Sequence, residues 1–195
     1  MNNLIIYTHP NNRSFNNSIL ETILETDKVQ GNQSELRNLY HLDFNPVLSA
    51  NDFESIQRGE VPVDIRIEQD WIRWADVITF IYPIWWTGMP AILKGYIDRV
   101  LLHGFAYAVS GDKIIPLLKG KKVIIYNTLG QTLEEYESSG MIKSLNMTSD
   151  TGIFDFCGMD VLNHKYFGAV NTSDDSTLDR YLQEVREISS LFVLQ

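Results

Sequence analysis

Short continuous runs of branched and aromatic apolar residues recur along this chain, and they restrict its fold more than any other feature. Such runs occupy residues 4–7, 77–82 and 123–126, with a less regular run at 161 and 166–170 and a weaker candidate at 36–42. A strand exposed on one face alternates apolar with polar residues, whereas these runs are largely apolar throughout. They therefore predict strands covered on both faces, as in a parallel sheet.

Helical periodicity fills the segments between the apolar runs. Apolar residues recur at helical spacing in three segments: Phe15, Ile19, Leu20, Ile23 and Leu24; Leu93, Tyr96, Ile97, Val100 and Leu101; and Leu178, Leu182, Val185, Ile188 and Phe192. Asn12 or Ser14 is suited to cap the first of these helices, and Pro90 suits the first turn of the second. Residues 70–75 are predicted to end a further helix.

Strands and helices thus alternate along the chain, which predicts an α/β fold with right-handed crossovers. We expect a three-layer, doubly wound, five-stranded parallel sheet of the flavodoxin-like order 2-1-3-4-5, formed by a single domain over residues 1–195. The ligand site of such a fold lies beyond the carboxyl ends of the strands. Residues 43–66 and 103–120 are interpreted as long connections, which are often functional in compact domains.

Charge and composition argue against several classes of protein. The formal net charge is −9 and no basic face is apparent, so we expect no nucleic-acid partner. No apolar run approaches the roughly 20 residues that cross a bilayer, and the start of the chain lacks the pattern of a secretory signal, so the sequence predicts a cytoplasmic protein. The single cysteine, Cys157, lies in an apolar context and is interpreted as a buried, unreactive thiol.

The loop after the first predicted strand, residues 8–18, is a candidate anion site. A helix N-terminus presents free backbone N–H groups, and His9, Arg13, Ser14 and Asn16 add side-chain donors there. Ordinary helix capping by Asn and Ser is the alternative interpretation. Neither the G-x-G-x-x-G nor the G-x-x-x-x-G-K-[ST] pattern occurs in the chain, so the dinucleotide and P-loop motifs are absent.

A second candidate loop contains two adjacent tryptophans. Pro83 ends the preceding strand, Gly88 is expected to allow a tight turn and Pro90 restarts the chain as a helix, so that the residues between are displayed. Trp85 or Trp86 could then flank a flat ring, although packing in the core is the alternative. Gly95 within the following helix costs about 1 kcal/mol relative to alanine, which predicts close packing against another element.

A third candidate loop follows residues 123–126. Asn127, Thr128 and Gly130 offer small polar contacts, and Tyr136 brings a phenol that can donate a hydrogen bond or pack. Metal binding is not predicted, because the histidines are scattered through the chain without ligand spacing: His9, His41, His103 and His164. Hydrolytic motifs such as G-x-S-x-G are also absent.

Three stretches together resemble one family of flavoenzymes. They are YTHPNNRSFN, YPIWWTGMPAILKGYIDRVLLHGFAY and FDFCGMDVL. From about residue 4 to residue 170 the chain resembles the NAD(P)H:quinone oxidoreductases, and P-x-W-W-x-G-x-P-A-x-L-K-G-x-x-D-R-V followed by F-A-Y is the most specific segment. The resemblance implies a flavodoxin-like fold and a ping-pong reaction, in which NAD(P)H reduces a bound flavin and a quinone or similar electrophile reoxidises it. FMN is favoured over FAD.

The resemblance also assigns roles to the three loops. It implies contact with the flavin phosphate and ribityl chain for His9, Ser14, Phe15 and Asn16, and with the isoalloxazine ring for Pro83, Ile84, Trp85 and Trp86. It implies contact with the pyrimidine edge for Asn127, Thr128, Leu129 and Gly130. Tyr136 matches a tyrosine beside the flavin, but the histidine that accompanies it in well-studied members is missing.

Members of the family are usually homodimers, so residues 104–113 are expected to cover the flavin of the partner chain, with Tyr107 facing it. The family also includes ancillary subunits of glutathione-regulated potassium-efflux systems, which leaves a regulatory role with a peripheral transporter contact as an alternative. A flavodoxin-type electron carrier is a further alternative, which the Trp-Trp segment disfavours.

Overall fold

The computed structural model describes residues 1–191, and a central parallel sheet organises them. The strands are β1 (Asn2–Tyr7), β2 (Gln33–Asn38), β3 (Val77–Pro83), β4 (Tyr107–Ser110), β5 (Lys113–Pro116), β6 (Lys122–Thr128) and β7 (Asp160–Phe167). Five of them form one sheet in the order β2-β1-β3-β6-β7, in which every neighbouring pair is parallel. The predicted fold and strand order are confirmed, with β6 and β7 as the fourth and fifth strands of this sheet.

Helices connect the strands and cover both faces of the sheet. They are α1 (Phe15–Gln30), α2 (Ala50–Gln57), α3 (Val63–Trp74), α4 (Ala91–Val100), α5 (Leu133–Ser138), α6 (Met141–Asn146), a π-helix (Met147–Asp155) and α7 (Asp175–Leu191). None of the helices in residues 1–191 combines the length and apolar character needed to cross a membrane. Phe192, which the last predicted helical stripe includes, lies outside the described residues.

Alternate residues of each strand face opposite layers, as the pleat requires. On one face Ile5 and Tyr7 of β1 join Ile19 of α1 and Val185 of α7 in a buried cluster. The other face carries the larger cluster, which includes residues of β1, β3 and β6 together with α3, α4, α6 and the π-helix. Both faces of the central strands are therefore buried, which explains their continuous apolar sequences.

Helix α4 packs unusually close to the loop before α2. A Cβ atom added at Gly95 would overlap the backbone oxygen of Pro46, so only glycine fits at this position. The prediction that Gly95 marks close packing is thus confirmed. Pro90 occupies the N-cap position rather than the first turn, because the helix begins at Ala91.

The two segments interpreted as long connections contain regular elements. Residues 43–66 contain α2, which begins with a capping box between Ser49 and Asp52, and also the start of α3. Residues 103–120 contain the β4–β5 hairpin, in which Ser110 pairs with Lys113 across a two-residue turn. Sequence reasoning missed both, although the capping residues and the Gly-Asp turn were visible signals.

Cys157 is buried, as predicted, at 3% exposure. Burial raises the pKa of its thiol to about 11. Because the thiolate is the reactive form, Cys157 is chemically quiet at neutral pH.

Candidate active site

Two neighbouring cavities lie at the carboxyl ends of the strands. The first, which we name the α1 cavity, has a volume of about 550 Å³ and receives residues from the loops after β1, β3 and β6. The second, the β7 cavity, has a volume of about 450 Å³ and includes His164 and Tyr166 of β7. Ile84 lines both cavities, so the two spaces adjoin at the loop after β3.

Most of the residues singled out from the sequence meet at the α1 cavity. Its lining includes His9, Arg13, Ser14, Phe15, Asn16, Pro83, Ile84, Trp85, Thr128, Leu129 and Gly130. The remaining four lie elsewhere: Trp86, Asn127, Tyr136 and Tyr107. The three loops therefore converge, as the parallel topology predicts for segments that follow neighbouring strands.

The N-terminus of α1 opens onto the α1 cavity. Ser14 is the N-cap, and its hydroxyl accepts a hydrogen bond from the backbone N–H of Asn17 at 3.3 Å. Within residues 1–191 the backbone N–H groups of Phe15 and Asn16 have no hydrogen-bond acceptor. Free N–H groups at a helix start, together with the helix dipole, stabilise a bound anion such as a phosphate.

Asn16 has an unused hydrogen-bonding atom in the wall of this cavity. Its amide nitrogen donates to the hydroxyl of Thr128 at 2.8 Å, which ties α1 to the end of β6. The amide oxygen of Asn16 is buried and has no hydrogen-bond partner among the described residues, and neither has the hydroxyl of Thr8. Buried polar atoms are normally paired. A ligand that carries both a phosphate and hydroxyl groups, as a flavin nucleotide does, fits this acceptor and these N–H groups, which are unpaired among the described residues.

The tryptophan loop is a tight turn with a strained backbone. Trp85 and Gly88 exchange two backbone hydrogen bonds, each of 3.1 Å, which close the turn. The two residues between them, Trp86 and Thr87, have φ values of 50° and 58°. These left-handed values belong to a type I′ turn, in which Asn and Gly are preferred and a β-branched residue is a rare outlier. The tight turn expected here is present and Gly88 closes it, but the positive φ angles belong to Trp86 and Thr87 rather than to the glycine.

The two tryptophans have different surroundings. Trp86 is 99% exposed, which rules out the core-packing alternative for this residue. Trp85 is partly exposed and meets His9 edge-to-face, with ring centroids 5.8 Å apart. The Nδ1 atom of His9 lies 3.0 Å from the backbone nitrogen of Asn11 and 3.1 Å from its carbonyl oxygen, so the Asn11 backbone holds this side of the ring. Partial burial lowers the pKa of His9, although the hydrogen bond with the Asn11 backbone opposes this.

A histidine that sequence reasoning left without a role forms the centre of a buried network beside the β7 cavity. The Nε2 atom of His164 lies 2.7 Å from Oδ1 of Asn127, and its Nδ1 atom lies 2.8 Å from Oδ1 of Asp150. The His164 side chain is only 5% exposed. The His164 ring also stacks on Tyr166, with ring centroids 4.2 Å apart.

Hydrogen-bond accounting orients the side chain of Asn127 toward His164. The amide nitrogen of Asn127 faces the carbonyl oxygens of Tyr82 and Tyr126 at 3.0 and 3.2 Å, so its oxygen faces His164 and accepts a hydrogen bond from Nε2. The other ring nitrogen, Nδ1, faces the Asp150 carboxyl group, so both nitrogens of His164 have partners within the fold.

The remaining candidate residues lie outside the α1 cavity. Asn127 lines the β7 cavity, and its side-chain amide is fully used by internal hydrogen bonds. Tyr136 packs against the larger core cluster. Tyr107, on the β4–β5 hairpin, meets the rings of His103 and Phe156 at 5.6 and 5.2 Å. No group of three or more His, Cys, Asp or Glu side chains within residues 1–191 is arranged to hold a metal ion.

Comparison with known proteins finds a flavodoxin-like family and relatives that are named as oxidoreductases or dehydrogenases. The Flavodoxin_2 family model, described as a flavodoxin-like fold, matches residues 1–188. A Haemophilus influenzae protein named "Uncharacterized NAD(P)H oxidoreductase" is 42% identical over 176 residues, which cover 90% of this chain and 87% of that protein. The mouse protein "Ribosyldihydronicotinamide dehydrogenase [quinone]" is 32% identical over 179 residues, which cover 82% of this chain and 78% of its own length.

A solved structure extends the comparison to three dimensions. The NAD(P)H:quinone oxidoreductase from Methanothermobacter marburgensis superimposes with a TM-score of 0.87 and 29% sequence identity, over 97% of both chains. Its fold therefore matches this chain along almost its whole length.

Proposed function

Because this chain belongs to the Flavodoxin_2 family, we propose that it is a flavin-dependent NAD(P)H:quinone oxidoreductase and that residues 1–195 act as a single domain. The names of the bacterial and mouse relatives and of the archaeal structure support this activity. The observation that carries the proposal is the unpaired amide oxygen of Asn16 beside the free N–H groups of α1, in the cavity that Trp85 also lines. Phosphate, hydroxyl and aromatic contacts are thus available together.

We assign the flavin to the α1 cavity. The backbone N–H groups of Phe15 and Asn16 would bind the phosphate, with His9 lining the same cavity and Arg13 adding charge. The Asn16 oxygen would accept from a ribityl hydroxyl. FMN is the form we propose, and the chain is compatible with its negative charge because the contacts are local donors rather than a basic surface.

The loops after β3 and β6 would position the ring. Pro83, Ile84 and the Trp85–Gly88 turn would form one wall, and the backbone around Thr128 to Gly130 would supply neutral donors to the pyrimidine edge. A bound flavin would supply the hydride chemistry between NAD(P)H and the acceptor. The chain's own task is to orient the rings and exclude water. Overall, NAD(P)H, a quinone and one proton give NAD(P)⁺ and a hydroquinone.

We propose that the enzyme acts as a homodimer. A homodimer is supported by the exposed apolar residues Val109, Ile114 and Ile115 on the β4–β5 hairpin, which carries Tyr107 and would cover the partner's flavin. Tyr136 is proposed to lie near the flavin as a hydrogen-bond donor. We also propose a cytoplasmic location and a peripheral contact with a transporter.

Rapid mixing under anaerobic conditions tests the function. The purified protein should release FMN on heating, identified by mass, and the flavin absorbance near 450 nm should bleach rapidly with NADH or NADPH. A quinone should then restore it in a second mixing step. If flavin is bound but neither nucleotide reduces it, the enzyme proposal fails and the electron-carrier or regulatory-subunit alternative replaces it.

A further inference from the structure

We propose that the β7 cavity receives the apolar substituent of a neutral quinone, so that the enzyme prefers quinones carrying an alkyl or prenyl chain. This inference rests on the proposed function and concerns the acceptor side of it. Flavin binding is assigned to the neighbouring α1 cavity, which leaves the β7 cavity without a ligand.

The position of the β7 cavity connects it with the proposed reaction site. Ile84 lines both cavities. Thr87 and Gly88 line the β7 cavity and belong to the same turn as Trp85, which lines the α1 cavity. Asn127 and Thr128 are consecutive residues of β6 that face one cavity each. A molecule held at the tryptophan turn can therefore extend into the β7 cavity.

The walls of the β7 cavity are mainly apolar. Ile84, Met89, Leu145 and Ile153 contribute aliphatic surface, and Tyr82 and Tyr166 contribute aromatic rings. A volume of about 450 Å³ lies within the range of small-molecule sites, which are typically lined by apolar and aromatic side chains. The cavity is thus large enough for several methylene or methyl groups.

The charged side chains of the cavity are neutralised by partners in the fold. Lys94 pairs with Asp98 at 2.5 Å on the exposed face of α4, and His164 is hydrogen-bonded to Asp150. Burial raises the pKa of Tyr82 and that of Tyr166, so both phenols stay neutral. The ligand that matches such a site is uncharged.

Several hydroxyl groups of the wall already use their protons inside the protein. Thr148 donates to the carbonyl oxygens of Ser144 and Leu145 at 3.1 and 3.0 Å, and Ser149 donates to that of Leu145 at 2.8 Å. Tyr166 donates to Oδ1 of Asn146 at 2.7 Å. The wall therefore offers few donors to a quinone carbonyl, and the apolar substituent suits it better than the quinone ring.

A cavity-filling substitution with a neighbouring control tests the proposal. Thr148 lines the cavity and is exposed at its edge, whereas Met147, the preceding residue of the π-helix, is 57% exposed and does not line it. The variants are Thr148→Trp and the control Met147→Trp. The probes are 2-methyl-1,4-naphthoquinone and the same compound with a five-carbon prenyl group at position 3. Their affinity for the oxidised holoenzyme is measured by calorimetry without NAD(P)H, and kcat/KM is measured separately.

In the unsubstituted protein the prenyl group should improve both affinity and kcat/KM by about tenfold, because several carbon atoms leave water. Thr148→Trp should reduce the ratio between the prenylated and the 2-methyl compound to about one. The affinity and kcat/KM for the 2-methyl compound should stay within twofold of the unsubstituted protein. Met147→Trp should leave the ratio between the two compounds unchanged. Ile153→Phe, which fills the cavity from another side, should act in the same direction if Thr148→Trp disturbs folding in a thermal melt.

Three results would overturn the inference. The first is that the prenyl group brings no gain in the unsubstituted protein, and the second is that the gain survives in both cavity-filling variants. The third is that Thr148→Trp breaks self-association in sedimentation, which would mean that a second copy of the chain fills the cavity. Failure of the proposed function is separate, since it would be seen as absent reduction of the 2-methyl compound by the unsubstituted enzyme.

Discussion

The Nε2 atom of His164 donates to Oδ1 of Asn127 across 2.7 Å, and this contact joins β7 to β6. Asn127 continues the connection, because its amide nitrogen donates to the carbonyl oxygen of Tyr82 on β3. One chain of hydrogen bonds thus joins three adjacent strands, close to the ends of β3 and β6. Two of these ends, after Tyr82 and Asn127, begin the loops that we assign to the flavin ring.

The hydrogen bonds of His164 lead to a prediction about stability. Nitrogen-15 NMR should find Nε2 of His164 protonated, because the oxygen of Asn127 accepts a hydrogen bond from it. His164→Leu should lower the free energy of unfolding by about 3 kcal/mol in urea denaturation, because it leaves Asp150 and the Asn127 oxygen without partners. An unprotonated Nε2, or unchanged stability in His164→Leu, would contradict the network.

Trp86→Ala separates a functional role from a structural one. Since Trp86 is 99% exposed, its removal should change the free energy of unfolding by less than about 0.5 kcal/mol. Flavin content and quinone turnover should nevertheless fall, because one wall of the proposed site is lost. Trp71→Ala is the control: Trp71 packs on Trp74 with ring centroids 5.5 Å apart, so this change should lower stability by about 2 kcal/mol. Unchanged flavin content and turnover in Trp86→Ala would remove Trp86 from the site.

Thr87→Gly should relieve backbone strain. The left-handed region costs a residue other than glycine about 1–2 kcal/mol, and Thr87 has a φ of 58°. After the extra entropy of glycine in the unfolded chain is subtracted, the free energy of unfolding should rise by about 1 kcal/mol in urea denaturation. Thr26→Gly, the same change inside α1, should instead lower it, because glycine is a poorer helix former than threonine. A loss of stability in Thr87→Gly would mean that the turn is not strained.

Gly95→Ala should destabilise the protein even though alanine is the better helix former. The preference for alanine is worth about 1 kcal/mol in a helix interior. The added Cβ would overlap the backbone of Pro46, and overpacking of this kind typically costs about 1–3 kcal/mol. We expect a net loss, measured by urea denaturation. Asp98→Ala on the exposed part of α4 is the control and should change stability by less than about 1 kcal/mol.

His9 should make the protein less stable below about pH 6.5. Its pKa is lowered in the folded state, so the unfolded chain binds more protons between the two pKa values. The share of stability that comes from neutral His9 is complete above its unfolded pKa and declines as the pH falls below it. The stability difference between the unsubstituted protein and His9→Gln should therefore be larger at pH 7.5 than at pH 5.5. Equal differences would contradict the lowered pKa.

The sheet could be predicted from the sequence because both faces of its central strands are buried, which makes the apolar signal continuous. Strand β2 gave a weaker signal and was placed too late, at residues 36–42 instead of Gln33–Asn38. This strand lies at the edge of the sheet, and its sequence QSELRN is mostly polar. The last strand was also placed too late, since β7 spans Asp160–Phe167 and carries polar residues in its middle.

The loops of the α1 cavity could be predicted because each directly follows a strand, and parallel topology brings such segments together. His164 could not be found in this way. It lies inside β7, and its partner Asp150 lies 14 residues earlier on a π-helix whose close approach depends on tertiary packing. The left-handed backbone at Trp86 and Thr87 was also unpredictable, because local preferences would place Asn and Gly at those positions.

The tryptophan turn is closed by backbone hydrogen bonds between Trp85 and Gly88. It continues through Pro90 into α4, which packs closely against Pro46 at Gly95. The loop is therefore preorganised: the entropy lost in ordering it is lost when the chain folds, and a ring that binds there need not order it again. Successive flat molecules can consequently exchange on the same surface at little conformational cost, which suits a ping-pong reaction in which one reactant must leave before the next arrives.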